Sequence, residues 1–154
     1  MTTKITIKPY LKEYIIAKFC NGEEIPVNFP SKFDIYHTIW NLTEKRPLNC
    51  TIDNGNIEIH LPKRREGKNP RDYNYISAKS QKIIEKKIEH LFLCEFHEFV
   101  TQQKQTQNIP YIDSIWEFVK IYSLDNISVD TLWKDYYRYK NRLFPKKKRK
   151  YQKK

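Results

Sequence analysis

Between residues 70 and 103 the apolar side chains Tyr73, Ile76, Ile83, Ile84, Ile88, Leu91, Phe92, Phe96 and Phe99 recur at close to helical spacing, with no glycine among them. A stripe of that length predicts one helix long enough to be the spine of the molecule. Asn69 followed by Pro70 is a good start for it, because asparagine caps orphan N–H groups and proline suits the first turn. Asp72 then meets the positive end of the helix dipole. The stripe fades near Gln103, and the polar stretch 101–108 reads as a linker.

Ahead of the spine, residues 1–62 read as mixed helix and strand. Ile5 and Ile7 alternate with polar neighbours. Pro9 opens a helix through Tyr10, Leu11, Tyr14, Ile15 and Lys18, stopped near Asn21-Gly22. Ile25, Val27 and Phe29 alternate, with Pro26 marking an edge. Ser31 is placed to cap a helix carrying Phe33, Tyr36, Ile39, Trp40 and Leu42, which Pro47 ends. Asp53-Asn54-Gly55-Asn56 is a turn signal before alternating Ile57, Ile59 and Leu61, which together predict a hairpin.

Beyond the linker, Pro110 precedes a helix with Ile112, Ile115, Trp116 and Val119 on one face. Ser128 caps a second helix, with Asp130 in its first turn and Val129, Leu132, Trp133 and Tyr136 on one face. Lys134, Tyr137, Arg138, Asn141 and Arg142 fall on the other. Two amphipathic helices joined by a turn, the second basic outside, are similar to a helix-turn-helix. The side-chain types suit it. Arginine donates twice to guanine, asparagine pairs with adenine, and lysine and tyrosine hold phosphates. The plain alternative is a helical hairpin with a solvated basic face.

The expected architecture is therefore α+β and mostly helical. A mixed part with a small N-terminal sheet and the long central helix covers 1–104. The helix-turn-helix-like unit covers 109–144, and a basic tail covers 145–154.

Charge is concentrated rather than spread. The formal net charge is +11, and residues 146–154 alone carry seven basic groups, so removing them leaves +4. Lys146, Lys147, Lys148, Arg149 and Lys150 read as an arm adding phosphate contacts, or as a nuclear-import signal. Residues 63–71 hold Lys63, Arg64, Arg65, Lys68 and Arg71 against Glu66 alone, a second candidate phosphate patch. The many lysines, isoleucines and asparagines, with alanine only at Ala17 and Ala78, also carry the bias of an AT-rich genome.

Several function classes find no support. Gly22, Gly55 and Gly67 are the only glycines, so no glycine-rich phosphate loop can be built. No nucleophile elbow or Cys-x-x-Cys pair occurs. Cys20, Cys50 and Cys94 are odd in number and far apart, which points to a reducing compartment rather than a disulfide framework. His90, Cys94 and His97 are spaced i, i+4, i+7 on one helix but lack a ligand from a second element, so no metal is expected. Asp53, Glu58 and His60 lack the acid-x-lysine ending of magnesium-dependent nucleases, and neither catalysis nor a cofactor is expected. No run of about 18 apolar residues occurs, so no membrane partner is expected. The opening MTTKITIKPY lacks the apolar core of a signal peptide, and a cytoplasmic location is expected.

The stretches GNIEIHLPKRREGKNPRDYNYIS at 55–77 and KDYYRYKNR at 134–142 resemble small uncharacterised basic proteins carried by phages and integrative elements of gut Bacteroidetes. The resemblance covers most of the chain and brings no catalytic residues. It implies a phage or mobile-element setting and disfavours nuclear import. The expected function is nucleic-acid binding, duplex DNA before RNA, in a regulatory or accessory role. The alternatives are a virion assembly protein whose tail contacts genome or an acidic partner, and an RNA-binding module in which Tyr137, Tyr139 and Tyr151 stack on bases; a protein partner or a homo-oligomer stays open in either case.

Overall fold

The computed structural model describes residues 1–50 and 54–147. The architecture is α+β and mostly helical, as the sequence leads one to expect. Its spine is helix α3, Ala78–Gln107, 30 residues and thus about 45 Å long. Ser77 caps it, its hydroxyl accepting the Ser80 N–H at 3.2 Å.

The helix starts eight residues later than Asn69-Pro70 suggests. Those residues form a turn instead: Asn69 Oδ1 accepts the Arg71 N–H at 3.1 Å, and its carbonyl accepts the Asp72 N–H at 3.0 Å. Asparagine, proline and aspartate serve turns as readily as helix starts. The tyrosines that follow belong to strand β4, Tyr73–Tyr75, which pairs antiparallel with β2, Glu44–Lys45. At the other end α3 runs through the expected linker to Asn108, whose φ of +52° closes the helix. Val100 is buried, and Thr101 shares a hydrogen bond of 3.0 Å with the Tyr136 hydroxyl, so 101–107 continues the packed helix instead of forming a linker.

Three groups of elements surround the spine. Helix α1, Pro9–Phe19, buries Leu11, Tyr14 and Ile15 and sets the Tyr10 and Tyr14 rings edge-on to Phe92, at 5.4 and 5.1 Å. Edge-to-face pairs of this kind contribute roughly 0.5–1.5 kcal/mol beyond area burial. Helix α2, Asp34–Leu42, lies against the N-terminal half of α3, where Lys87 pairs with Asp34 at 2.7 Å and holds that carboxyl below its usual range. Phe33, not Ser31, occupies the cap position of α2; the Ser31 carbonyl accepts from His37 instead, at 2.9 Å. Helices α4, Tyr111–Ile121, and α5, Val129–Leu143, pack on the C-terminal half, where Phe118 meets Phe92, Phe96 and Phe99.

The N-terminal sheet does not arise from a local hairpin. Strand β3, Ile57–His60, pairs antiparallel with β1, Thr2–Ile5, in register Ile5↔Ile57, and Val27 adds an isolated parallel bridge to Ile59. Gly55 is demanded here, because a Cβ would lie 2.4 Å from the Ile5 carbonyl oxygen. Asn56 then clips the strand end: its side chain accepts from the Ile7 N–H at 3.0 Å and donates to the Ile7 carbonyl at 2.6 Å.

One continuous core runs from Ile5 to Tyr136, so the C-terminal helices share their interior with the N-terminal part. A polar knot strengthens the junction. The Glu95 carboxylate of α3 accepts hydrogen bonds from Tyr14 and Lys18 of α1 and from Tyr122 after α4, the last at 3.3 Å. Among the described residues no helix is long and apolar enough to cross a membrane.

Candidate nucleic-acid interface

Helix α5 forms where its local chemistry predicts. Ser128 accepts the Thr131 N–H at 3.1 Å, and Asp130 sits in the first turn. Leu132 and Tyr136 are buried against the spine, which turns Lys134, Tyr137, Arg138 and Arg142 to solvent, with Asn141 half-buried among them. The predicted strip is thus one face of one helix. Its members are not equivalent. Lys134 pairs with Asp130 at 2.9 Å. The Tyr137 hydroxyl receives the Lys146 ammonium at 3.0 Å, which holds the phenol below its usual value and the ammonium above its own. Arg138 borders a cleft of about 220 Å³ that also holds Lys134, Asp135, Glu89 and Tyr10. Lys104 and Lys140, which the sequence does not single out, converge on the Tyr111 ring at 5.5 and 4.7 Å.

The unit departs from a helix-turn-helix in its connection. Residues 122–128 join α4 to α5, longer than the three or four residues usual for that motif. They are held rather than loose. Leu124 is buried, and the Glu13 carboxylate of α1 accepts the N–H groups of Asp125, at 2.9 Å, and Asn126, at 3.3 Å. The C-terminal half of α3 meets both helices through aromatic rings: Phe118 of α4 lies against Phe96 and Phe99, and Tyr136 of α5 against Phe96. Trp116, expected in the core, is 58% exposed, and Ile112 is 40% exposed. The buried face of α4 is Ser114, Ile115 and Phe118, a rotation that follows from where α3 lies.

The second patch divides by role. Lys68 points its ammonium inward at the carbonyls of Trp40, Asn41 and Thr43, at 3.2, 2.8 and 2.8 Å, and so caps the C-terminus of α2. Arg64 sits over Trp40, with its guanidinium carbon 4.1 Å from the ring centroid, and donates to His37 Nδ1 at 2.6 Å. Gly67, at φ +103°, lets the loop pass the same indole; a Cβ there would come within 2.8 Å of it. Lys63 and Arg65 stay exposed. Arg71 lines a shallow cleft of about 380 Å³ with Lys45, Arg46, Asp72 and Asn74, assembled by the β2–β4 pairing. Asn74 orients Arg46 by accepting from Nε at 3.1 Å and Nη2 at 3.3 Å. Lys45 and Arg46 are thus neighbours of Arg71 that linear sequence does not reveal. In the tail Lys146 and Lys147 are exposed, and Lys148, Arg149 and Lys150 lie outside the described residues.

The histidines and cysteines take other places. His97 turns to Asp135, with Nε2 to Oδ2 at 2.6 Å, while Cys94 Sγ stands 3.7 Å from His90 Nε2 on the exposed side. No cluster of His, Cys, Asp and Glu able to hold a metal ion occurs among the described residues. Cys20 is buried, which pushes its thiol up, aided by Glu23. Glu58 accepts from the Thr2 hydroxyl, His60 is exposed, and Asp53 lies outside the described residues. No family model, curated protein or solved structure matches the chain.

Proposed function

We propose that this chain is a nucleic-acid-binding protein, not an enzyme, which meets duplex DNA through the outer face of α5 and serves a regulatory or accessory role in a phage or mobile element. The observation that carries the reading is the state of the charges around that face. Asp135 is committed to His97, Asp130 to Lys134, Glu13 to the turn before α5, and Glu89 to Lys8 and Tyr10. Arg138 and Arg142 remain as exposed cations, flanked by Asn141, Tyr137 and Lys146. Uncommitted cations on a rigid helix attract phosphates through counterion release.

A second reading, an assembly protein, draws on the exposed Ile112 and Trp116 of α4 and on Leu143 and Phe144, 53% and 72% exposed, at the end of α5. Apolar side chains in solvent favour a protein partner or a second copy. The test is paired affinity measurement of Arg138→Ala and Arg142→Ala on a selected duplex, random duplex and single-stranded RNA. For the regulator, Arg138→Ala weakens selected duplex by about 1–3 kcal/mol and random duplex less. Equal losses on selected and random duplex favour the assembly reading, and preference for the single strand favours an RNA-binding module.

A further inference from the structure

Helix α3 carries a row of charge that none of the sites above includes. We propose that Lys79, Lys82 and Lys86 form a phosphate-binding row which supports one strand of the duplex between the loop at 63–71 and α5; this rests on the nucleic-acid reading of α5.

The row follows from helix geometry. Positions 82, 86, 89, 93 and 97 succeed one another at spacings of four, three, four and four, and so lie along one stripe. Further along, that stripe is the side α5 covers: Glu89 and Leu93 share a cleft with Lys134 and Arg138, and His97 bonds Asp135. Toward the N-terminus α5 has ended and the stripe is open, with Lys79, Lys82 and Lys86 all exposed. Strand β4 leads directly into this end of α3, which brings the loop at 63–71 to the start of the row.

The two acids interspersed with these lysines are both engaged by the N-terminus of α1, Glu89 from its place on the stripe. Glu85 accepts the Lys8 N–H at 2.9 Å, and Glu89 meets the Lys8 ammonium at 3.4 Å and the Tyr10 hydroxyl at 3.5 Å, both toward the N-terminus of α1. Lys87, on the neighbouring side, is paired with Asp34. Among the described residues the three lysines of the row make no ion pair.

The chemistry favours duplex. From Lys79 to Lys86 the helix rises about 10 Å, the axial distance of about three phosphates on one strand. No Phe, Tyr or Trp is exposed along this half of α3, so the row offers nothing for an unpaired base to stack on.

The test compares four forms of the full chain: wild type, the triple variant Lys79→Gln, Lys82→Gln, Lys86→Gln, the same three positions changed to arginine, and a charge-matched control, Lys4→Gln, Lys12→Gln, Lys120→Gln. Glutamine keeps helix propensity, and circular dichroism checks folding. Affinity is measured across a salt series for duplex DNA, single-stranded DNA and polyglutamate. The row predicts that the slope of log K against log[salt] on duplex falls by about 2–3 in the α3 variant, about 0.9 for each phosphate no longer neutralised, and by less than about 1 in the control. The corresponding triple Lys→Arg variant keeps the wild-type slope. Equal reductions in the α3 variant and the control would overturn the row and leave only bulk charge. An unchanged slope in the α3 variant with a binding wild type overturns the row alone, whereas a wild type that does not bind duplex overturns the functional reading as well. Tighter binding to single strand or polyglutamate than to duplex overturns the choice of partner.

Discussion

His97 Nε2 lies 2.6 Å from Asp135 Oδ2, and the His97 ring stacks on Tyr139 with centroids 4.0 Å apart and planes 13° apart. One side chain of the spine thus fixes both the height and the rotation of α5. The His97 side chain is 12% exposed, so its hydrogen bond is poorly replaced by water. Replacing Asp135 by alanine strands a half-buried partner, at a cost of about 1–3 kcal/mol. In urea unfolding the midpoint should fall with the slope unchanged. An unmoved midpoint means that α5 is held by its apolar face alone.

Lys68 and Lys63 belong to one charged loop yet should behave as opposites. Lys68 satisfies three carbonyls at the end of α2, so Lys68→Ala should lower stability by about 1–3 kcal/mol. Lys63→Ala and Arg65→Ala remove exposed charges, should change stability by less than about 0.5 kcal/mol, and should weaken DNA binding on every sequence. Thermal melts beside affinities separate the two. If Lys63→Ala destabilises as much as Lys68→Ala, the assignment of roles within the loop fails.

What could be read from sequence was what neighbours decide. Pro9, Asn21-Gly22, Ser128 and Asp130 set the ends of α1 and the start of α5 through groups within a few residues of each, and those ends stand where expected. The start of α3 was not legible, because Asn69-Pro70 meets the rules for a turn as well as those for a helix; the pairing of Tyr73 and Tyr75 with Lys45 and Glu44 decided it. The β1–β3 pairing joins residues more than fifty apart, and no local signal encodes it. The α3 row was hidden for an electrostatic reason. Glu85 and Glu89 lie among its lysines and halve the linear charge count, to +2 over residues 79–89, and only the docking of α1 shows that both acids are engaged.

Phe118 and Trp116 are two residues apart on α4 and point in nearly opposite senses. Phe118 is 1% exposed among Phe92, Phe96 and Phe99, whereas Trp116 is 58% exposed. Phe118→Ala opens a cavity in the shared core and should cost about 3–5 kcal/mol. Trp116→Ala should stay within about 0.5 kcal/mol, despite the larger side chain removed. Chemical denaturation of the two variants checks this. Equal destabilisation would mean that Trp116 is covered in solution, which favours a partner on that face.

The tyrosines supply a pH signature of the junction between α1, α3 and α4. Burial, reinforced by Glu95, pushes Tyr122 up to about 12, and burial with Glu89 does the same to Tyr10. Tyr14, buried and bonded to Glu95, is raised as well. Free phenols titrate near 10. Each of these groups is therefore raised in the folded state, so its contribution to stability is complete below about pH 10. That contribution is lost as pH rises from about 10 through about 12. Exposed Tyr137, held low by Lys146, should titrate first. Ultraviolet difference absorbance should then show the eleven tyrosines ionising in at least two stages, the later one accompanied by loss of folded structure. In the Glu95→Gln variant the carboxylate no longer opposes ionisation of Tyr122, so the later stage should begin at lower pH, while Tyr137 titrates as before. Ionisation of all tyrosines in one step near pH 10, with the fold intact, would show that the Glu95 knot does not tie the three helices together.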